Sequence, residues 1–203
     1  MKASRPYLPY DLLVDLPWPA VVFPIGPPGC GKTSLYKSVE AACASVGREL
    51  VSVSRDTIRL ERHGAVNDFS DEDVVTAVVC ERLSRASEAG RSVYLDGTNL
   101  VERFRSELMQ VARDVRSEAS LVAFLRLRNV NLRDLKTLVA KRSRQDPERP
   151  LIPDEVLSRM HDSWQRIGPA GLVASGFDSV ALFDFDGIWK PVVLGQPGSK
   201  HPS

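Results

Sequence analysis

The stretch Gly26-Pro27-Pro28-Gly29-Cys30-Gly31-Lys32-Thr33 decides the fold. It fits G-x-x-x-x-G-K-[ST], the Walker A phosphate loop. Its surroundings suit that reading. Ala20-Val21-Val22-Phe23-Pro24-Ile25 reads as the strand before it and Ser34 to Val46 as the helix after it. Successive backbone N–H groups at a helix N-terminus make a cradle for phosphate oxygens. Gly26, Gly29, Cys30, Gly31, Lys32, Thr33 and Ser34 are therefore the candidate nucleotide-binding residues. Lys32 can reach the β and γ phosphates, and the Thr33 hydroxyl can hold Mg²⁺. The loop implies a nucleoside triphosphate, with ATP and Mg²⁺ as the expected cofactors. It does not say where the γ-phosphate goes.

Strand and helix patterns alternate after the loop. Glu49 to Ser54 reads as a second strand, with Gly47 as a helix stop before it. Residues 55–70 read as polar and irregular. Ser70-x-x-Asp73 has the form of a capping box opening a helix that Gly90 ends. Arg91 to Asp96 is a third strand and Leu100 to Val115 the next helix. Leu121 to Leu125 is a fourth strand, 131–143 a helix, Pro153 to about Ile167 another, and Val180 to Phe183 a fifth strand. This alternation predicts an α/β P-loop NTPase or kinase fold: about five parallel strands, helices on both faces, and a small lid. Such sheets bind ligands outside the carboxyl ends of their strands, so the polar residues that end each strand are the ones to read.

Strand two ends in Ser54-Arg55-Asp56-Thr57-Ile58-Arg59. Asp56 could accept the proton of an attacking hydroxyl, and Arg59 could grip an anionic substrate group in a bidentate fork. Strand three, Val93-Tyr94-Leu95-Asp96, has the apolar-then-Asp form of a Walker B strand, which makes Asp96 a metal candidate beside Thr33. Thr98 and Asn99 offer neutral donors to a substrate phosphate; Asn99 could equally cap the following helix. The charge of the chain is uneven. Net charge is +1, yet between Leu121 and Pro150 eight basic residues face three acids. Lys141-Arg142-Ser143-Arg144 and Arg149 stand where a lid would close over a triphosphate.

The bulk properties narrow the classes. A chain of 203 residues, 43% hydrophobic and 26% charged, suits one domain with a substantial core. Near-neutral net charge argues against a protein whose main task is to coat nucleic acid. No apolar run is long enough to span a bilayer, and Met1 to Pro6 lacks a signal-peptide core, so a cytoplasmic location without membrane contact is expected. Cys30, Cys43 and Cys80 match no metal spacing and are expected to be reduced thiols. There is no Asn-Lys-x-Asp segment of the GTPase kind and no second Walker motif.

Taken in order, the phosphate loop, Arg55-Asp56-x-x-Arg59, Asp96-x-Thr98-Asn99, the Lys/Arg-rich lid and the helix opened by Pro153 resemble the phage-type polynucleotide 5′-hydroxyl kinase family. The stretches Leu138 to Ser143 and Ile152 to Met160 are similar in order and chemistry. The resemblance covers roughly residues 20–167. It implies ATP-dependent phosphoryl transfer to the 5′-hydroxyl end of a nucleic acid, as in end repair. Lys32 and Asp56 would be catalytic, Asp56 as the base. Arg59 and Thr98, with Asn99, would hold the acceptor. Among the lid arginines, Arg144 comes first for the transferring phosphoryl group, with Arg142 on the nucleotide and Arg149 on the acceptor. A repair partner or a second copy of the chain is compatible with this reading.

The expected organisation is an aromatic, Pro-rich arm over 1–19, a kinase domain over 20–187 with its lid at about 141–152, and a tail over 188–203. Phe183-Asp184-Phe185-Asp186-Gly187 resembles the start of a haloacid-dehalogenase phosphatase. With 16 residues after Gly187, it reads as a strand ending in a turn, and no phosphatase activity is expected. Two other functions fit the same residues: a small-molecule kinase acting on a sugar, nucleoside or antibiotic hydroxyl, and a nucleotide-dependent regulatory or toxin-like module.

Overall fold

Ala20–Ile25 (β1) runs through the middle of a sheet and is buried along its whole length. The structure, a computed structural model, describes residues 18–126, 131–145 and 151–183. After β1 come α1 (Lys32–Ser45), β2 (Leu50–Ser54), α2 (Arg55–His63), α3 (Glu72–Glu88) and β3 (Ser92–Asp96). Then follow α4 (Glu102–Val115), β4 (Ser120–Arg126), α5 (Leu132–Gln145), α6 (Asp154–Arg166), α7 (Pro169–Ala174) and β5 (Ser179–Phe183). The five strands are parallel, in the order β2-β3-β1-β4-β5. The expected α/β P-loop kinase-like fold is present.

Alternation along the strands sorts the core into two layers. Val21, Phe23 and Ile25 pack with Val79 and Leu83 of α3, Leu108 and Ala112 of α4, and Trp164 of α6. Ala20 and Val22 face the other way, with Leu35, Val39 and Cys43 of α1 and with Tyr94 and Phe124. Each fully buried Val, Leu or Phe contributes about 1.5–3 kcal/mol relative to exposure, so both layers are strongly held. Register is tight at the end that matters here. Val22 pairs with Tyr94 and Ser54 pairs with Asp96, which brings the carboxyl ends of β1, β2 and β3 level.

Three local expectations are corrected. Residues 55–63 are a helix, not an irregular segment. Its signals are short-range. The Ser54 hydroxyl caps the Thr57 N–H, Asp56 lies in the first turn, Arg62 and His63 lie in the last, and Gly64 closes it at φ 73°. The helix escapes a periodicity reading because Ile58 is its one buried apolar residue. Ser70 does not cap α3. Its hydroxyl and N–H both donate to Asp68, and Asp71 stands at the N-cap. Residues 141–145 of the expected lid are the last turn of α5. The short helix α7, begun by Pro169, was not expected.

The arm up to residue 17, lid residues 146–150 with Arg149, Asp184, Asp186 and the tail lie outside the described residues. No helix among the described residues is long and apolar enough to cross a membrane.

Candidate active site at the carboxyl ends of the first three strands

The loop between β1 and α1 is shaped by two glycines in left-handed backbone, Gly29 at φ 85° and Gly31 at φ 91°. A side chain at either position would meet the steric cost of that region, about 1–2 kcal/mol. Gly31 is also the N-cap of α1. It has no side chain to cap the first N–H groups of α1, which stay available to an anion. The Lys32 ammonium donates to the carbonyls of Gly26 at 3.0 Å and Pro27 at 2.8 Å, so it lies across the loop. Cys30 is buried, its Sγ 3.7 Å from that ammonium. It meets the site through its backbone, whose N–H donates to the Pro27 carbonyl. Thr33 and Ser34 are exposed at the start of α1. The Tyr94 hydroxyl donates to the Lys32 carbonyl at 2.8 Å, pinning the helix start to β3. Burial pushes the Tyr94 phenol far above its usual range.

Asp96 ends β3. Its charge is felt in the first turns of α1, where Tyr36 is pushed up to about 12 by burial, by its hydrogen bond to Glu40 and by Asp96. A hydroxyl from Thr33 and a carboxylate from Asp96 are hard oxygen donors of the kind Mg²⁺ takes together with phosphate oxygens. The donor set therefore fits that ion.

The turn after β3 is bound to the phosphate loop. The Gly26 N–H donates to the Thr98 carbonyl at 3.1 Å. Asn99, in left-handed backbone at φ 48°, gives its side-chain amide to the carbonyls of Pro24 at 2.8 Å and Leu95 at 2.9 Å. That amide braces the scaffold instead of facing a substrate, and the N-cap of α4 is Val101, not Asn99. Arg105 is buried and donates to the carbonyls of Asn99 and Leu100, holding the turn from below. Arg105 and its role were not singled out from the sequence; an arginine on an otherwise amphipathic helix carries no distinctive signal.

Asp56 and Arg59 stand three residues apart on one face of α2. Arg59 Nη1 donates to Asp56 Oδ1 at 2.7 Å. The bidentate fork expected for a substrate is taken by Glu72 at the start of α3: Nε to Oε1 at 2.6 Å and Nη2 to Oε2 at 2.9 Å. Three of the five guanidinium N–H groups are thus engaged. Arg59 is buried at 7% exposure, while the Asp56 side chain keeps 75%. The hydrogen bond to Glu72 raises Arg59 above its ordinary value, and the same bond holds Glu72 below the usual carboxylate value. Arg55 adds a bond to Thr76 at 2.9 Å and an ion pair with Glu72 at 3.5 Å; burial lowers its pKa. Glu72 was missed from the sequence because 13 residues and a loop separate it from Arg59.

Neighbouring strands lie about 4.8 Å apart, so the end of β2, with β3 between, is about 10 Å from the phosphate loop. That gap can hold a phosphoryl group and the hydroxyl that receives it. Helix α5 closes the site from the other side. A Cβ at Gly29 would meet Val139 at 3.5 Å, Leu135 at 3.6 Å and Leu138 at 3.7 Å. Arg142 follows these residues by three to seven positions and shares their face, whereas Arg144 is turned about 140° from Val139.

A parallel sheet, a glycine-shaped loop at the end of its central strand and an adjoining Asp at the end of the next define a P-loop kinase-like domain. The chain belongs to the AAA domain family AAA_33, whose model matches residues 21–167. No curated protein matches it in sequence. Among solved structures, a chain of the Pnkp1/Rnl/Hen1 RNA repair complex aligns with 90% of this chain at TM-score 0.58 and 18% identity. The match spans 50% of that longer chain. Kti12 of Chaetomium thermophilum in complex with ADP-AlF3 aligns over 83% of this chain and 90% of its own, at TM-score 0.60 and 17% identity. The PezAT toxin-antitoxin system of Streptococcus pneumoniae aligns over 88% and 75%, at TM-score 0.58 and 14% identity. At these identities the likeness is one of fold.

Proposed function

We propose that this domain transfers the γ-phosphoryl group of ATP to the 5′-hydroxyl end of a nucleic acid. The observation that carries the proposal is the Asp56–Arg59 pair, set on a helix that starts where β2 ends, one strand away from the phosphate loop. In the proposed step Asp56 takes the hydroxyl proton as the acceptor oxygen bonds to the γ-phosphorus. The bond from that phosphorus to the bridging oxygen breaks, and ADP leaves with the electron pair. Lys32 and the N–H groups at the head of α1 hold the phosphates. Mg²⁺, bound by Thr33 and Asp96, would neutralise phosphate charge. An arginine of the lid stretch balances charge that develops in transfer. Cytoplasmic end repair, with or without a partner protein, is the setting this chemistry suits.

One observation favours a second reading. The Arg59 fork is taken by Glu72, which suits an acceptor with no phosphate beside its hydroxyl, such as a sugar or nucleoside. Labelled-phosphate transfer from ATP to 5′-hydroxyl oligonucleotides, run against free sugars and nucleosides, separates the two. Asp56→Ala should lower transfer by 10²-fold or more, on the order expected for a general base, and leave ATP binding intact. Normal turnover in that variant would overturn the base assignment.

A further inference from the structure

Six large apolar side chains are exposed among the described residues, and four of them, Leu60, Phe69, Val101 and Phe104, lie in the segments that follow β2 and β3. Two of the four are aromatic, and each is backed by an arginine. The Arg59 guanidinium carbon sits 4.6 Å from the Phe69 ring centre, and that of Arg55 sits 5.1 Å from the Phe104 ring centre. Both arginines are themselves fixed, Arg59 by Glu72 and Asp56, Arg55 by Thr76 and Glu72. Each ring is held by an immobile guanidinium yet stays largely exposed, 63% for Phe69 and 44% for Phe104.

Their place is specific. Arg59 touches both the Asp56 carboxylate and the Phe69 ring, so the ring centre is within roughly 9 Å of Asp56. That is the order of distance from a 5′-hydroxyl across its ribose to its base. We infer that Phe69 and Phe104 form a stacking platform for the terminal nucleobase of the acceptor, with Arg59 and Arg55 as the rigid backing. This rests on the polynucleotide reading and names how that acceptor is gripped: by base stacking, in place of the phosphate fork that Glu72 occupies. Stacking on an aromatic side chain tolerates any base and is worth about 1–3 kcal/mol per base, or roughly 5- to 150-fold in affinity.

The test compares two single-stranded 5′-hydroxyl oligonucleotides, one intact and one abasic at the terminal sugar, as acceptors for the full chain and its variants. The wild-type protein should show a KM about tenfold or more higher for the abasic acceptor, with the KM for ATP unchanged. Phe69→Leu with Phe104→Leu keeps apolar bulk and removes the π faces. It should raise KM for the intact acceptor by a similar factor, raise it far less for the abasic one, and be rescued by tyrosine at both positions. Equal use of the two acceptors by the wild type, or leucine variants that still discriminate between them, would overturn the platform while leaving the polynucleotide reading in place. Transfer to free sugars with none to any oligonucleotide would overturn both.

Discussion

Arg59 ties α2 to the head of α3 and leaves little of its surface to solvent. Its charge is divided between Glu72, which takes the Nε and Nη2 edge of the guanidinium, and Asp56, which takes Nη1. That Asp56 and Arg59 share a helix face follows from their spacing, because an i, i+3 pair needs no tertiary information. The place of Glu72 does not, since its partnership depends on where a loop returns the chain. Glu72→Gln should loosen the guanidinium that backs the Phe69 ring, cost about 1–2 kcal/mol at neutral pH and, under the stacking proposal, raise the acceptor KM more than it lowers kcat. The sign of its pH dependence follows from its depressed pKa. Its contribution is complete above the ordinary glutamate value of 4.5 and is lost as the pH falls below it through the folded value. Urea midpoints of wild type and variant should therefore differ at neutral pH and converge in acid.

At the scale of elements, the helices that carry a long apolar stripe were legible and those with one buried residue were not. Helices α1, α3 and α5 announce themselves through apolar residues at helical spacing; α2 is held by a cap, its end charges and Gly64. The register of α5 also sets Arg142 apart from Arg144, the arginine that the sequence reading places first. Leu135 and Val139 are buried where α5 meets Gly29, and Arg142 continues their face. Arg142→Ala should thus lower kcat by 10-fold or more, and Arg144→Ala by less than half that factor, on the scale of lost charge stabilisation in phosphoryl transfer. Steady-state rates at saturating ATP check the order. The reverse order would restore Arg144 as the first candidate.

For the whole molecule, the alternation of strands and helices was enough to specify a parallel sheet, but not its order or the means by which its last strand is locked. Asp178 does the locking. Its carboxylate accepts from Arg113 Nη2 at 2.6 and 2.7 Å and from the Leu121 N–H at 2.7 Å, joining α4, β4 and the start of β5. No local motif marks such a residue. Asp178→Ala should cost about 2–3 kcal/mol, read as a lower denaturant midpoint, with the ATP KM unchanged because the site lies at the other end of the strands. At the site end, one hydrogen bond from the Gly26 N–H to the Thr98 carbonyl joins the phosphate loop to the turn after β3. Under the proposed function, in which that turn underlies the acceptor, donor and acceptor binding should be coupled. Settling of the phosphate loop around a nucleotide would be passed to that turn. By reciprocity the acceptor would alter nucleotide affinity by the same factor. The two half-sites would then form one thermodynamic unit, which nucleotide affinities measured with and without the acceptor would reveal.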